Sequence, residues 1–216
     1  MEVLHRIGVI GDVHACDVRL AALLADLEQR ALDAIWCVGD IVTGPGDPDR
    51  CVELLQSAGT LTVRGNHDRW CLEGARPMFP DGHRLEQLQP ATQAYLRALP
   101  PMHEAVAPDG TPVLLCHGLA ANDMNGLSVD DFGYALDVND DLVHLREGGR
   151  RIVVKGHRHH ASIWRLPPLT LIDAGTLCED HTDRCGVVLD LAAMQATPLV
   201  LADGVVREAA TVAVAA

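Results

Sequence analysis

Five short polar clusters, each following an apolar run, carry the residue types that bind cations and move protons. They are Gly11-Asp12-Val13-His14, Gly39-Asp40, Gly65-Asn66-His67-Asp68, His117-Gly118 and Gly156-His157-Arg158-His159. Asp12 and His14 are two positions apart, as are His157 and His159, so in extended chain each pair projects toward one side. Carboxylate, carboxamide and imidazole without thiolate suit Mn²⁺, Fe, Zn²⁺ or Ni²⁺, whereas Ca²⁺ prefers all-oxygen cages. Neighbouring glycines let the backbone turn sharply and approach a ligand closely. Taken singly, each cluster reads as a strand-ending turn or a hydrogen-bonded histidine. Five in order, each after an apolar run, read as parts of one site.

The elements that would position these clusters are short runs rich in Val, Ile and Leu at 6–10, 34–38, 60–63, 112–116, 151–154 and 170–172. They read as buried strands. Between the first two, Leu20, Leu23, Leu24 and Leu27 mark one face of a helix expected over 17–32, and weaker helices are expected at 51–57 and 92–99. This alternation predicts an α/β layered fold, in which ligands gather at the carboxyl ends of strands. Runs at 185–191, 198–201 and 205–208 lack intervening helices, and Asp203-Gly204 is a turn signal, so a second, more antiparallel sheet is expected there. No linker divides the chain, so 1–216 reads as one domain, with 69–109 and 119–149 as cap and rim segments.

A formal charge of −13 argues against a protein whose main task is gripping a nucleic-acid backbone or an anionic membrane. It does not exclude a phosphorylated substrate, because a metal centre reverses the field inside one cleft. Neither a membrane span nor a signal peptide is read from the sequence, and the expected location is the cytoplasm. Seven scattered cysteines without a CxxC spacing suit reduced thiols engaged in packing.

The ordered clusters resemble the signature of the calcineurin-like metallophosphoesterases: D-x-H, G-D, G-N-H-D/E, H and G-H-x-H. The likeness runs from residue 7 to about 190. The stretch GDIVTGPGDPDRCVELL makes it most similar to the small single-domain prokaryotic phosphodiesterases of that family. The resemblance implies a four-layer α/β/β/α sandwich of two mixed sheets with a dimetal site at one edge. It implies one ion held by Asp12, His14, Asp40 and His159 and a second held by Asp40, Asn66, His117 and His157, with Asp40 bridging. His67 would protonate the leaving oxygen and Asp68 would orient the loop.

Such a centre has a clear logic. Four positive charges less two carboxylates and a hydroxide leave about +1 to attract and polarise a phosphoryl group, and the hydroxide is available near neutral pH. The implied activity is hydrolysis of a small organic phosphate or nucleotide, as a phosphodiesterase or phosphomonoesterase. The alternative is a catalytically silent binding scaffold on the same fold. A nuclease is disfavoured by the acidic charge and by a total of seven aromatic residues. Three departures stand out. The Asp-Arg pair that follows the second cluster in Ser/Thr phosphatases is absent from Gly39-Asp40-Ile41-Val42-Thr43-Gly44. Arg158 stands where Thr is usual, and Asp173-Ala174-Gly175-Thr176 replaces a common Asn-Pro-Gly-Ser. Arg64 or Arg158 is left to supply a phosphate-gripping cation, although Arg158 reads first as a surface charge.

Overall fold

The computed structural model describes residues 1–75, 82–127, 129–149, 151–178 and 184–214. The first half of the chain runs β1 (Glu2–Val3), β2 (Arg6–Ile10), α1 (Asp17–Leu27), β3 (Ala34–Cys37), α2 (Pro48–Ser57), β4 (Leu61–Thr62), α3 (Asn66–Glu73) and α4 (Pro90–Ala98). It continues with β5 (Met102–Val106), β6 (Pro112–Cys116), α5 (Tyr134–Asp137), α6 (Asp140–Glu147), β7 (Ile152–Lys155), β8 (Ser162–Leu166) and β9 (Leu169–Asp173). The last strands are β10 (Arg184–Asp190), β11 (Gln195–Ala202), β12 (Val205–Glu208) and β13 (Val212–Ala213).

Two mixed sheets form. One has the order β1-β5-β6-β7-β9-β8, the other β12-β11-β10-β2-β3-β4 with β13 on β11. Period-two alternation assigns each side chain to a layer. Val113 and Leu115 of β6 join Ile7, Val9, Trp36 and Val187 in the core between the sheets. Leu114 and Cys116 face outward onto Leu142 and Leu145 of α6. On the far side Leu20, Leu23, Leu24 and Leu27 of α1 pack with Leu55 of α2 and Leu96 of α4 against Ile10, Cys37 and Val188. The result is the expected order of helices, sheet, sheet and helices.

Local chemistry explains where the helices begin. Asp47 accepts the Asp49 and Arg50 amides at 2.9 and 3.1 Å, and Pro48 occupies the first turn, so α2 starts before 51. Pro90 does the same for α4. By contrast α1 stops at Leu27, five residues short of the expected end, because the chain must turn to enter β3 at Ala34.

The C-terminal strands do not form a separate sheet. β10 pairs antiparallel with β2 over Arg6–Ile10 and so extends the sheet begun by the N-terminal strands. Alternation reports which face of a strand is buried, not which strand lies beside it. The segments expected to be rims are also more regular than their Pro and Gly content suggested. The first carries most of α3, α4 and β5, and the second carries α5 and α6. Residues 76–81 of the first and 128 of the second lie outside the described residues. Among the described residues, no helix is long and apolar enough to cross a membrane.

Candidate metal centre

Each polar cluster follows the carboxyl end of a strand: Asp12 and His14 after β2, Asp40 after β3, Asn66 after β4, His117 after β6, and His157 and His159 after β7. β2, β3 and β4 run parallel in one sheet and β6 and β7 parallel in the other, so all five ends open on one edge of the sandwich. Asn66, His67 and Asp68 do not sit in a loop but form the first turn of α3, whose N-terminus faces the cluster.

The side chains fall into two groups around one carboxylate. In the first, His14 Nε2 lies 2.9 Å from His159 Nε2, which is 3.4 Å from Asp12 Oδ2. In the second, Asn66 Oδ1 lies 2.9 Å from His117 Nε2 and 2.8 Å from His157 Nδ1. Asp40 stands between them: Oδ1 accepts the His67 amide of α3 at 2.8 Å, which turns Oδ2 toward His14 Nε2 at 3.7 Å and His117 Nε2 at 3.3 Å. A helix N-terminus thus orients the carboxylate. The imidazoles are aimed by carbonyls: His14 Nδ1 donates to Thr43 O and His117 Nδ1 to Val38 O, both at 2.8 Å.

This donor set fits a pair of divalent cations. When His117 is neutral, with its Nδ1 proton committed to Val38 O, its Nε2 lone pair faces two further acceptors, Asn66 Oδ1 and Asp40 Oδ2. Acceptors converge in this way where a cation satisfies all of them. Asp12 Oδ1 is fully buried and accepts no hydrogen bond, while Oδ2 takes the His157 amide at 2.9 Å. Burial and mutual attraction decide where protons sit among these groups. Burial pushes the Asp12 carboxyl up to about 8 against the attraction of His117. For His117 burial acts downward, but attraction to Asp40 prevails and the imidazole rises to about 10. Burial likewise pushes Asp40 up, yet attraction to His117 and their hydrogen bond hold it well below the usual carboxylate range. Burial and the nearby His117 charge bring His157 down to about 4.

His67 stands at the edge of the first group, its ring 4.9 Å from that of His14 and 4.9 Å from that of Trp70. Burial lowers its pKa despite the attraction of Asp40, so the cationic form is disfavoured in the free protein. Asp68 lies behind the cluster: Oδ1 accepts the Ile41 and Val42 amides at 2.8 and 3.3 Å, and Oδ2 accepts Gly65 N at 3.0 Å. One carboxylate therefore ties the loop after β3 to the start of α3. Burial raises it to about 6 against these hydrogen bonds.

The backbone around the site differs from the extended chain that the residue spacing suggested. His14, Asp40, His157 and His159 all adopt positive φ, at 46°, 50°, 74° and 57°. Their side chains are turned inward by left-handed kinks rather than by strand alternation. Gly156 follows the same economy of space, since a Cβ there would overlap the Asp12 carboxylate.

Three features were not read from the sequence. Cys178 places its sulfur within 4.8 Å of donor atoms of both His14 and His159, so a thiol stands beside the first group after all. Lys155, at the end of β7, is almost fully buried and donates to Asp173 Oδ2 at 2.7 Å and to Gly156 O at 3.0 Å. Asp173 Oδ1 accepts Gly175 N at 3.0 Å, and Gly175 O accepts the Asp12 amide at 3.0 Å, so this ion pair braces both chains that flank Asp12. An aspartate in place of the common asparagine thus supplies the carboxylate of this ion pair. Lastly, Arg69 of α3 makes a two-pronged ion pair with Asp123, at 2.6 and 2.9 Å, which ties the segment after β6 to the site. A buried cation and a half-buried thiol leave no periodic signal; only the unusual Asp173 marked this region.

The model of the calcineurin-like phosphoesterase superfamily domain matches residues 6–194. An uncharacterized protein of Methanocaldococcus jannaschii is 44% identical over 62 residues, which is 29% of this chain and 26% of that protein. A symmetrical bis(5'-nucleosyl)-tetraphosphatase of Klebsiella pneumoniae is 45% identical over 64 residues, 28% of this chain and 22% of that enzyme. The matched stretches thus span about a quarter of the length of these curated relatives. In fold, a metallophosphoesterase of Sphaerobacter thermophilus superposes with a TM-score of 0.64 at 23% identity, covering 95% of this chain and 88% of its own. On the family match across most of its length, the chain belongs to the calcineurin-like phosphoesterase superfamily.

Proposed function

We propose that the chain is a dimetal-dependent hydrolase of phosphate esters, acting on a small organic phosphate or nucleotide as a phosphodiesterase or phosphomonoesterase. The observation that carries this reading is Asp40, whose Oδ2 faces both imidazole groups while α3 holds Oδ1. In this reading Asp12, His14, Asp40 and His159 hold one ion, and Asp40, Asn66, His117 and His157 hold the other. The family is dimetal-dependent, which supports the assignment. The similarity to a bis(5'-nucleosyl)-tetraphosphatase favours a nucleotide within the substrate class. The chain works as one catalytic domain over 1–216, with rims near 69–109 and 119–149.

Bound there, two divalent cations supply the charge that polarises a phosphoryl group and acidifies water for attack near neutral pH. The rest belongs to the chain's own groups. Neutral imidazoles preserve surplus positive charge that a shell of carboxylates would cancel. Asp68 fixes the loop after β3 and the start of α3, and thereby Asp40 and His67. His67 stands neutral in the free protein, and an arriving phosphate anion raises its proton affinity, so that it holds a proton for the leaving oxygen when substrate is present. Arg158, exposed on the turn that carries His157 and His159, supplies a guanidinium for an anionic substrate.

Purified protein assayed with bis-p-nitrophenyl phosphate and p-nitrophenyl phosphate in Mn²⁺, Ni²⁺ and Zn²⁺ tests the proposal. Turnover with at least one metal, abolished by chelation, is expected. Bound metal without turnover of any phosphate ester would overturn it.

A further inference from the structure

Cys178 follows the Asp173–Thr176 turn, and the first cluster fixes its place. Its amide donates to Thr176 Oγ1 at 3.1 Å, Thr176 Oγ1 donates to Asp12 O at 3.1 Å, and Leu177 N reaches the same carbonyl at 2.8 Å. The residue is therefore anchored, two hydrogen bonds away, to one of the candidate donors. Its sulfur and the ring nitrogens of His14 and His159 all lie within 4.8 Å of one another. Donors sharing one ion at about 2.0 to 2.3 Å stand roughly 3 to 4.5 Å apart, so small side-chain movements suffice to bring the three onto a single cation. Cys16 is the other thiol in this corner, and its Sγ donates to His14 O at 3.4 Å. Both cysteines line a cavity of about 330 Å³ with Asp17, Arg19 and Gly46, which opens this corner to solvent and reagents.

We propose that Cys178 is a sulfur donor to the cation held by His14 and His159, and that it biases this half of the centre toward thiophilic ions such as Zn²⁺, Fe²⁺ or Co²⁺ over Mn²⁺. The inference rests on the dimetal reading above and adds a ligand to it. On coordination the S–H proton passes to solvent and the thiolate sulfur donates to the ion, with no change of oxidation state. Carboxylate, carboxamide and imidazole alone discriminate weakly among these metals; one thiolate changes the preference.

Cobalt substitution tests this without reference to turnover. The Co²⁺-loaded protein should show visible d–d bands together with a near-ultraviolet sulfur-to-cobalt charge-transfer band. C178S should keep the d–d bands and lose the charge-transfer band, while C16S keeps both. In the wild-type protein, added Zn²⁺ should slow alkylation of Cys178 by iodoacetamide at least about tenfold, read by peptide mass spectrometry; that arm needs no variant to fold. Bound cobalt with d–d bands alone, a charge-transfer band surviving in C178S, or alkylation indifferent to Zn²⁺ would overturn the sulfur assignment and leave the dimetal reading standing. Failure to bind Co²⁺ at all would remove both.

Discussion

Replacing Lys155 by Met keeps a long apolar stem at the end of β7 and deletes the charge that faces Asp173. In the native protein Nζ reaches Asp173 Oδ2 at 2.7 Å and Gly156 O at 3.0 Å, with both side chains about 3% exposed. Burial already raises the Asp173 carboxyl against the attraction of Lys155. Removing one partner from a buried pair costs about 3–5 kcal/mol. Protonation of the stranded carboxyl sets an upper bound: from an unperturbed value near 3.9, neutralising it at pH 7 costs about 4 kcal/mol, at about 1.4 kcal/mol per pH unit. The expected loss at pH 7 is thus about 3–4 kcal/mol, or about 6–16 °C in Tm for a chain of this size. The variant's folded Asp173 lies above its unfolded pKa, so its stability is greatest below the unfolded value and falls as pH rises. The deficit should therefore shrink to about 1–2 kcal/mol at pH 5. Lys155→Met combined with Asp173→Asn removes both charges and keeps an oxygen for Gly175 N, and it should recover most of the loss. Urea unfolding at pH 5 and 7 measures all three proteins. A loss under about 1 kcal/mol, a loss unchanged between the two pH values, or a double variant as unstable as the single one would refute the reasoning.

Other expectations concern the centre itself. Asp40→Asn, which weakens the one carboxylate shared by both groups, should lower bound metal from two ions toward none and cut phosphoesterase activity by at least about a thousandfold; inductively coupled plasma analysis of the dialysed variant reads the first. Metal binding should release protons from Asp12 and His117, raised to about 8 and about 10 in the free protein. Apparent affinity should then climb steeply from pH 6 to 8, and calorimetry in buffers of different ionisation enthalpy should count at least two protons released at pH 7, with any from the Cys178 thiol or a metal-bound water added to these. His67→Ala should retain both ions yet slow alkyl phosphates about 10²–10⁴-fold, far more than p-nitrophenyl esters, whose leaving group scarcely needs a proton. Steady-state kinetics on the two substrate types decides this. Asp68→Asn turns an amide toward Gly65 N, where an acceptor stood at 3.0 Å, and should cost about 1–3 kcal/mol in chemical denaturation.

The polar residues at the strand ends were legible because each follows an apolar run that must be buried, and burying such runs side by side in two sheets brings their ends to one edge. That logic singled out the five clusters, the family resemblance picked Asp12, His14, Asp40, Asn66, His117, His157 and His159 from among their residues, and the structure brings these seven side chains together. The placement of α2 and α4 was legible in outline, with Asp47-Pro48 and Pro90 shifting their starts. Long-range pairing was not. That β10 lies beside β2, and that Thr176 bridges to Asp12 across 164 positions, depends on which strand finds which neighbour, and this carries Cys178 to His14. Lys155 was hidden for another reason: a cation closing an apolar run reads as the strand's solvated end until its buried partner is known.

The left-handed torsions at His14, Asp40, His157 and His159 bear on how such a protein ages once its chemistry is no longer needed. Each holds a Cβ where glycine would sit at ease, at a cost of roughly 1–3 kcal/mol. A lineage released from hydrolysis would relieve that torsion with glycine at His14 or Asp40 only by giving up the buried hydrogen bonds to Thr43 O and from the His67 amide, so disuse and robustness do not simply coincide.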